Sequence, residues 1–176
     1  MDQRDRPGRR EQLKSGILLL LAVFGLVTLP ASAASRGIQI VSFTADWCPT
    51  CRVFDPALED AVEHLSDRQI EWITVDLTDS RGASRERSFQ MWADFRNDMQ
   101  MRGMGQIYNA YNMHPYTGYA VVLAADTKEP LVCLMGLRDP RLIQQRLITS
   151  LNRVNAAPPG QRPVYGTDCP DSYLGN

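Results

Sequence analysis

The chain changes hydrophobic period several times, and each change marks an element. Ile38-Gln39-Ile40-Val41-Ser42-Phe43-Thr44 is apolar and β-branched and predicts a buried strand. From Pro49 onward Val53, Phe54, Ala57, Leu58, Ala61, Val62 and Leu65 recur at three- and four-residue spacings. That spacing predicts an amphipathic helix ending near Ser66. Pro56 lies inside it and should bend it, because it offers no N–H to the preceding turn. Ile70 to Leu77 predicts a second strand, closed by Thr78-Asp79-Ser80. Strand, helix and strand in close succession form a βαβ unit, expected to be right-handed with parallel strands.

After a polar stretch from Ser80 to Arg87, Phe89, Trp92, Phe95 and Met99 follow helical spacing. Gly103 and Gly105 interrupt that run, and Ile107, Ala110 and Tyr111 predict a further short helix. Tyr119 to Ala124 predicts a third strand, Asp126 to Glu129 a turn, and Leu131 to Met135 the return strand of a hairpin, with Pro130 at its start. Leu142, Ile143, Arg146, Leu147, Ile148 and Leu151 predict a last amphipathic helix, with Pro140 near its first turn. Beyond Asn155 the chain is rich in Pro and Gly and reads as an extended tail over 156–176.

The opening of the chain has a different character. Arg4, Arg6, Arg9, Arg10 and Lys14 precede a nearly unbroken apolar run from Gly16 to Leu29, then Pro30 and Ala31-Ser32-Ala33. Basic, apolar, then small-x-small is the layout of a secretory signal peptide. The rival expectation is an uncleaved membrane tether through residues 17–34, since the run approaches the ~20 residues a spanning helix needs. Either way the rest of the chain is expected outside the cytoplasm of a bacterial cell, periplasmic or otherwise extracytoplasmic, secreted after cleavage or anchored to the inner membrane. Gly8-Arg9-Arg10-Glu11-Gln12-Leu13-Lys14 resembles a twin-arginine export signal, with Gln12 where that signal usually carries Phe; an Arg-rich opening without that meaning is the alternative.

Charge narrows the partners. The formal net charge is −1, and the basic residues form no stripe, which argues against nucleic acid. The apolar fraction of 44% leaves material for one domain with a real core, here residues 38–155.

The chemistry sits at Trp47-Cys48-Pro49-Thr50-Cys51, between the first strand and the first helix. A Cys-x-x-Cys at such a junction suits thiol–disulfide exchange, which needs one thiolate to attack and a neighbour to resolve the mixed disulfide. Free N–H groups and the helix dipole favour negative charge on the Cys48 sulfur, and Cys51 lies one turn on, within bonding reach. Pro49 fits the first turn, where a missing N–H costs nothing. Thr50 brings no positive charge, unlike a His at that place, so a less oxidising couple is expected than a His there would give. A zinc site would need four ligands, and Cys133, Cys169, His64 and His114 stand apart in sequence. An inert disulfide is the other plain reading. No metal and no cofactor are expected. Met99, Met101, Met104, Met113 and His114 could hold Cu(I) beside the pair; the plainer reading is core and cap packing. Cys133 reads as a small buried hydrophobe of a core strand, or as the partner of Cys169 in an oxidising compartment.

Phe43-Thr44-Ala45-Asp46-Trp47-Cys48-Pro49-Thr50-Cys51-Arg52 resembles the signature of the thioredoxin-like family, and Pro56 falls where that family kinks its helix. The resemblance spans Ile38 to about Leu151 and is sharp between Val41 and Pro56. It implies an α/β thioredoxin fold: a central mixed sheet of about four strands flanked by helices, here with an inserted helical segment at about 80–113. It also implies an exported thiol–disulfide oxidoreductase with Cys48 as nucleophile and Cys51 as resolving thiol. Its partners would be protein thiols and disulfides of exported clients, including apocytochromes, and a membrane or periplasmic electron donor. A copper-handling protein and a non-catalytic module with a static disulfide are the alternatives.

Two departures bear on the site. Ser42 stands where the family buries an acid. The family also sets a cis-proline immediately before the third core strand, facing the cysteines. Pro115 is the candidate, but Tyr116-Thr117-Gly118 intervenes, so the loop is rebuilt or Thr117 takes that place. Trp47 and Tyr116 are expected to form an apolar rim that receives partner chains.

Overall fold

A computed structural model describes residues 36–162 and 169–173. The leader at 1–33, the tether at 17–34 and part of the final segment lie outside the described residues. Among the described residues no helix is long and apolar enough to cross a membrane.

The elements run β1 (Ile38–Thr44), α1 (Cys51–Glu63), β2 (Ile70–Asp76), a 3-10 turn at Thr78–Ser80, α2 (Arg85–Met101), α3 (Gly105–Met113), β3 (Tyr119–Ala124), β4 (Pro130–Met135), α4 (Pro140–Ala156) and a last 3-10 turn at Asp171–Tyr173. The expected strands are all present. The first helix starts two residues later than Pro49, at Cys51, with Thr50 as its N-cap residue. The sheet order is β2-β1-β3-β4. β1 and β2 are parallel, from Ile38 opposite Ile70 to Thr44 opposite Asp76. β3 runs antiparallel to both β1 and β4.

Two helical layers explain why β1 and β3 are buried on both faces. On one face Phe54, Ala57, Leu58 and Ala61 of α1 and Ile143 and Leu147 of α4 pack on Ile38, Ile40, Ala120 and Val122. On the other, Phe95 and Met99 of α2 and Ile107 and Tyr111 of α3 pack on Val41, Phe43, Tyr119 and Val121. Each fully buried Leu, Ile, Val, Phe or Met among them contributes roughly 1.5–3 kcal/mol. Phe43 is stacked between Tyr111 and Tyr119, with centroids 4.5 and 4.9 Å away. β2 lies at the sheet edge and keeps the alternation of a half-covered strand: Ile73 and Val75 are buried, Glu71, Thr74 and Asp76 exposed.

Helix starts are chemically marked. Ser84 accepts the Arg87 amide at the start of α2, and Asp139 accepts the Arg141 amide at the start of α4, where Pro140 occupies the first turn.

The expectation of a simple extended tail needs correction. Arg162 is buried and makes two bonds to Asp126 in the β3–β4 turn, at 2.6 and 2.9 Å. Cys169 is disulfide-bonded to Cys133 of β4. Tyr173 is buried, with its hydroxyl 2.9 Å from that of Tyr119. The Cys133–Cys169 bond is one of the two expectations for Cys133; Arg162 and Tyr173 give no signal, because each is a single residue whose partner lies far away in sequence.

Candidate active site

Cys48 and Cys51 are bonded to each other, with Cα atoms 5.3 Å apart. A turn sets up the pair: the Cys48 amide donates to the Ala45 carbonyl at 3.0 Å. The Cys51 amide, the first of α1, points at the Cys48 sulfur at 3.0 Å. An N–H aimed at Sγ stabilises negative charge there and so favours the Cys48 thiolate once the bond is reduced. Both cysteines are 3% exposed, so access alone does not distinguish them. The amide contact does.

The approach to the pair is pinned to the exit of β2. Leu77 donates its amide to the Thr44 carbonyl at 2.8 Å. The Asp46 amide donates to Thr78 Oγ1 at 3.0 Å, and Trp47 Nε1 donates to the Thr78 carbonyl at 3.1 Å. Thr78 is itself held by Asp76, whose Oδ1 accepts both its amide and its hydroxyl. The Arg81 guanidinium lies 3.8 Å over the Trp47 ring. Trp47 is therefore oriented by a hydrogen bond at its edge and a cation on its face.

Pro49 and Thr50 are exposed above the buried sulfurs. Pro115 and Tyr116 are also exposed, Tyr116 by 51%, and Thr117 is half-buried. No peptide bond among the described residues is cis, so Pro115 is trans. The loop is rebuilt instead around Gly118, the residue immediately before β3. Gly118 has φ +77°, and a Cβ there would meet Thr50 Cβ and Cγ2 at 2.7 Å and the Cys51 nitrogen at 3.1 Å. Its amide donates to the Phe43 carbonyl at 2.8 Å. The residue that closes on the Cys-Pro-Thr-Cys turn is thus Gly118, where Pro115 or Thr117 were the expected candidates. A glycine directly before a strand is the signal that could have found it.

Ser42 is buried, and its hydroxyl is engaged on the β2 side: it accepts Trp72 Nε1 at 2.8 Å and lies 3.4 Å from Thr74 Oγ1. A carboxyl does stand nearby. Asp55 of α1 accepts the Thr44 hydroxyl at 2.5 Å, and burial holds its pKa above the ordinary carboxyl value, against the lowering effect of that bond.

The methionines do not converge. Met99 and Met104 are fully buried in the α2–α3 core, whereas Met101 is 82% and Met113 67% exposed. Among the described residues no group of three or more His, Cys, Asp or Glu could hold a metal ion. A groove of about 840 Å³ between β2 and α2, lined among others by Asp76, Asp79, Arg87, Asp94 and Asp98, does not include either cysteine of the pair.

The thioredoxin family model matches residues 31–96, which take in β1, the cysteine pair, α1 and β2. The matched segment is thioredoxin-like. Its bonded pair at the β1–α1 junction is that of a thiol–disulfide oxidoreductase. Among solved structures, a thiol:disulfide interchange protein of the thioredoxin family from Chlorobium tepidum TLS is 16% identical, covering 67% of this chain and 82% of its own, with a TM-score of 0.42. Tryparedoxin I from Leishmania major is 20% identical over 66% of this chain and 78% of its own, with a TM-score of 0.38. Tryparedoxin II from C. fasciculata is 18% identical over 65% and 72%, with a TM-score of 0.36. Comparison with curated protein sequences finds no match.

Proposed function

We propose that this thioredoxin-like chain works outside the cytoplasm, reducing or exchanging disulfides in exported partner proteins. Cys48 attacks the client disulfide, and Cys51 resolves the mixed disulfide and leaves the pair oxidised. A membrane or periplasmic electron donor returns the pair to the dithiol. Apocytochrome thiols are one client class that suits such a reductant. The observation that carries the assignment of roles is the Cys51 amide at 3.0 Å from the Cys48 sulfur.

Two features support the location. The basic, apolar and small-residue order of residues 1–33 suits export. The Cys133–Cys169 bond suits an oxidising compartment, since such bonds are rare in reducing ones. The copper reading loses ground because Met101 is exposed while Met104 is buried.

The test is reduction of insulin by the wild type and by Cys48→Ser and Cys51→Ser. Turnover should be lost in both variants, with Cys48→Ser also failing to form a trapped mixed disulfide. Activity that survives in both would sink the reading. A Cys48–Cys51 bond that resists mild dithiol would favour a static module instead.

A further inference from the structure

Resolution of a mixed disulfide has a proton problem. Cys51 must attack as a thiolate, yet it is 3% exposed, and burial disfavours charge on sulfur. A neighbouring base removes that obstacle if it can take the proton as the new bond forms.

Asp55 is placed to do so. It follows Cys51 by four residues on α1, which sets the two side chains on one helix face with Cβ atoms about 5–6 Å apart. Both face the same end of β1. The Cys51 sulfur lies 4.0 Å from the Phe43 carbonyl, and Asp55 accepts the hydroxyl of the next residue, Thr44. Ser42, the other polar side chain on that face of β1, is taken up by Trp72 and Thr74.

We propose that Asp55, steadied by Thr44, accepts the Cys51 proton during resolution. This rests on the exchange reading above. In the step, the Cys51 S–H proton passes to the Asp55 carboxylate, and the Cys51 sulfur bonds to the Cys48 sulfur. The bond between Cys48 and the client sulfur breaks, and the client thiolate leaves with the electron pair. Asp55 then gives its proton to that thiolate or to water. The client disulfide is reduced and the Cys48–Cys51 pair is oxidised, so no further reactant is needed.

The surroundings leave Asp55 free to titrate in this role. Its pKa is raised first by burial and then lowered by the Thr44 bond, with no charged residue among the causes. On its own helix the charged neighbours at turn spacing are Arg52 and Glu59, both exposed. From the sheet, Asp76 stands opposite Thr44 but is bound to Thr78. The buried residues of α4, which packs beside α1, are Ile143, Leu147, Ser150, Leu151 and Val154.

The reduced protein can be mixed with a symmetrical aromatic disulfide whose thiolate absorbs visible light. One thiolate is released when Cys48 attacks, and a second when Cys51 resolves the adduct. In the wild type the second release should slow as pH falls through the Asp55 pKa. In Asp55→Asn that acidic limb should disappear, and the second release at neutral pH should drop by roughly 10²-fold, the lower end of general-base assistance. Raising the pH should restore it, because solvent then deprotonates Cys51. Thr44→Val removes a bond that favours the carboxylate, so its limb should move to higher pH; a purely structural Asp55 would give no such displacement. Superposed profiles for wild type and Asp55→Asn, or an unmoved limb in Thr44→Val, would overturn the proposal while leaving exchange intact. A wild type that shows no second release would overturn the exchange reading itself.

Discussion

Gly118 packs so closely on Thr50 that a Cβ on the glycine would stand 2.7 Å from both Thr50 Cβ and Cγ2. The contact joins the start of β3 to the turn that holds the cysteines. It explains how the loop after α3 reaches the site without a cis-proline.

Gly118→Ala should therefore be costly twice over. The backbone at φ +77° disfavours a side chain by about 1–2 kcal/mol, and the Thr50 contact adds to it. Denaturant unfolding should show a loss of at least about 1 kcal/mol, and insulin reduction should fall because the cysteine turn is displaced. Adding Thr50→Gly should recover part of the loss. Equal stability of Gly118→Ala and wild type would show that the loop yields freely.

The second disulfide should matter for stability and not for exchange. Cys133 and Cys169 are 36 residues apart in sequence, and closing a loop of that length is worth about 4 kcal/mol in the chain-entropy model. Both cysteines are buried, at 0% and 7% exposure. The double variant Cys133→Ala/Cys169→Ala should unfold at lower denaturant yet retain insulin reduction under conditions where it is folded. Loss of turnover in the folded variant would tie this bond to the redox cycle.

The Arg162 anchor should give way in acid. Hydrogen bonding and charge from Arg162 hold the Asp126 pKa below its ordinary value, against burial. A carboxyl with a depressed folded pKa contributes stability above its unfolded pKa and loses it as pH falls through the folded one. Denaturation midpoints followed below pH 4 should fall more steeply in the wild type than in Arg162→Met. At neutral pH Arg162→Met should cost about 3 kcal/mol, because it leaves Asp126 and Glu129 without their cation. Parallel acid profiles would mean that the pair contributes nothing.

Alkali should loosen the other end of the tail. Burial raises the Tyr173 pKa to about 12, and burial also raises that of Tyr119, its hydroxyl partner. A raised pKa means that stability is intact below the unfolded value near 10 and is lost as pH climbs through the folded one. Tyrosinate absorbance should thus appear together with unfolding in the wild type, and Tyr173→Phe should remove one of the late-ionising groups. Ionisation at ordinary pH in the folded wild type would contradict the burial.

Much of the frame was legible from local pattern. A strand buried on both faces needs a continuous apolar run, and Ile38–Thr44 and Tyr119–Ala124 have one. Helix spacing marked α1, α2, α3 and α4, with glycines and prolines at their borders. The cysteine pair was legible because its chemistry is compressed into four residues at a strand–helix junction.

The contacts that tune that pair were not legible, since they are made across the fold. Gly118 meets Thr50 only once β3 lies beside β1, and Arg81 covers Trp47 only once the exit of β2 is pinned beside the turn. Cys133 could be read as a core residue or as the partner of Cys169, and only the return of the chain to β4 decided for the bond. The sequence by itself determined the order of elements, the buried faces and the place of Cys48 and Cys51, because periodicity and turn chemistry act over a few neighbours. Tertiary structure alone decided that a glycine abuts the cysteine turn, that Asp55 of α1 bonds Thr44 of β1 and that Arg162, Cys169 and Tyr173 of the final segment are held down, because these depend on distances between residues that only packing brings together.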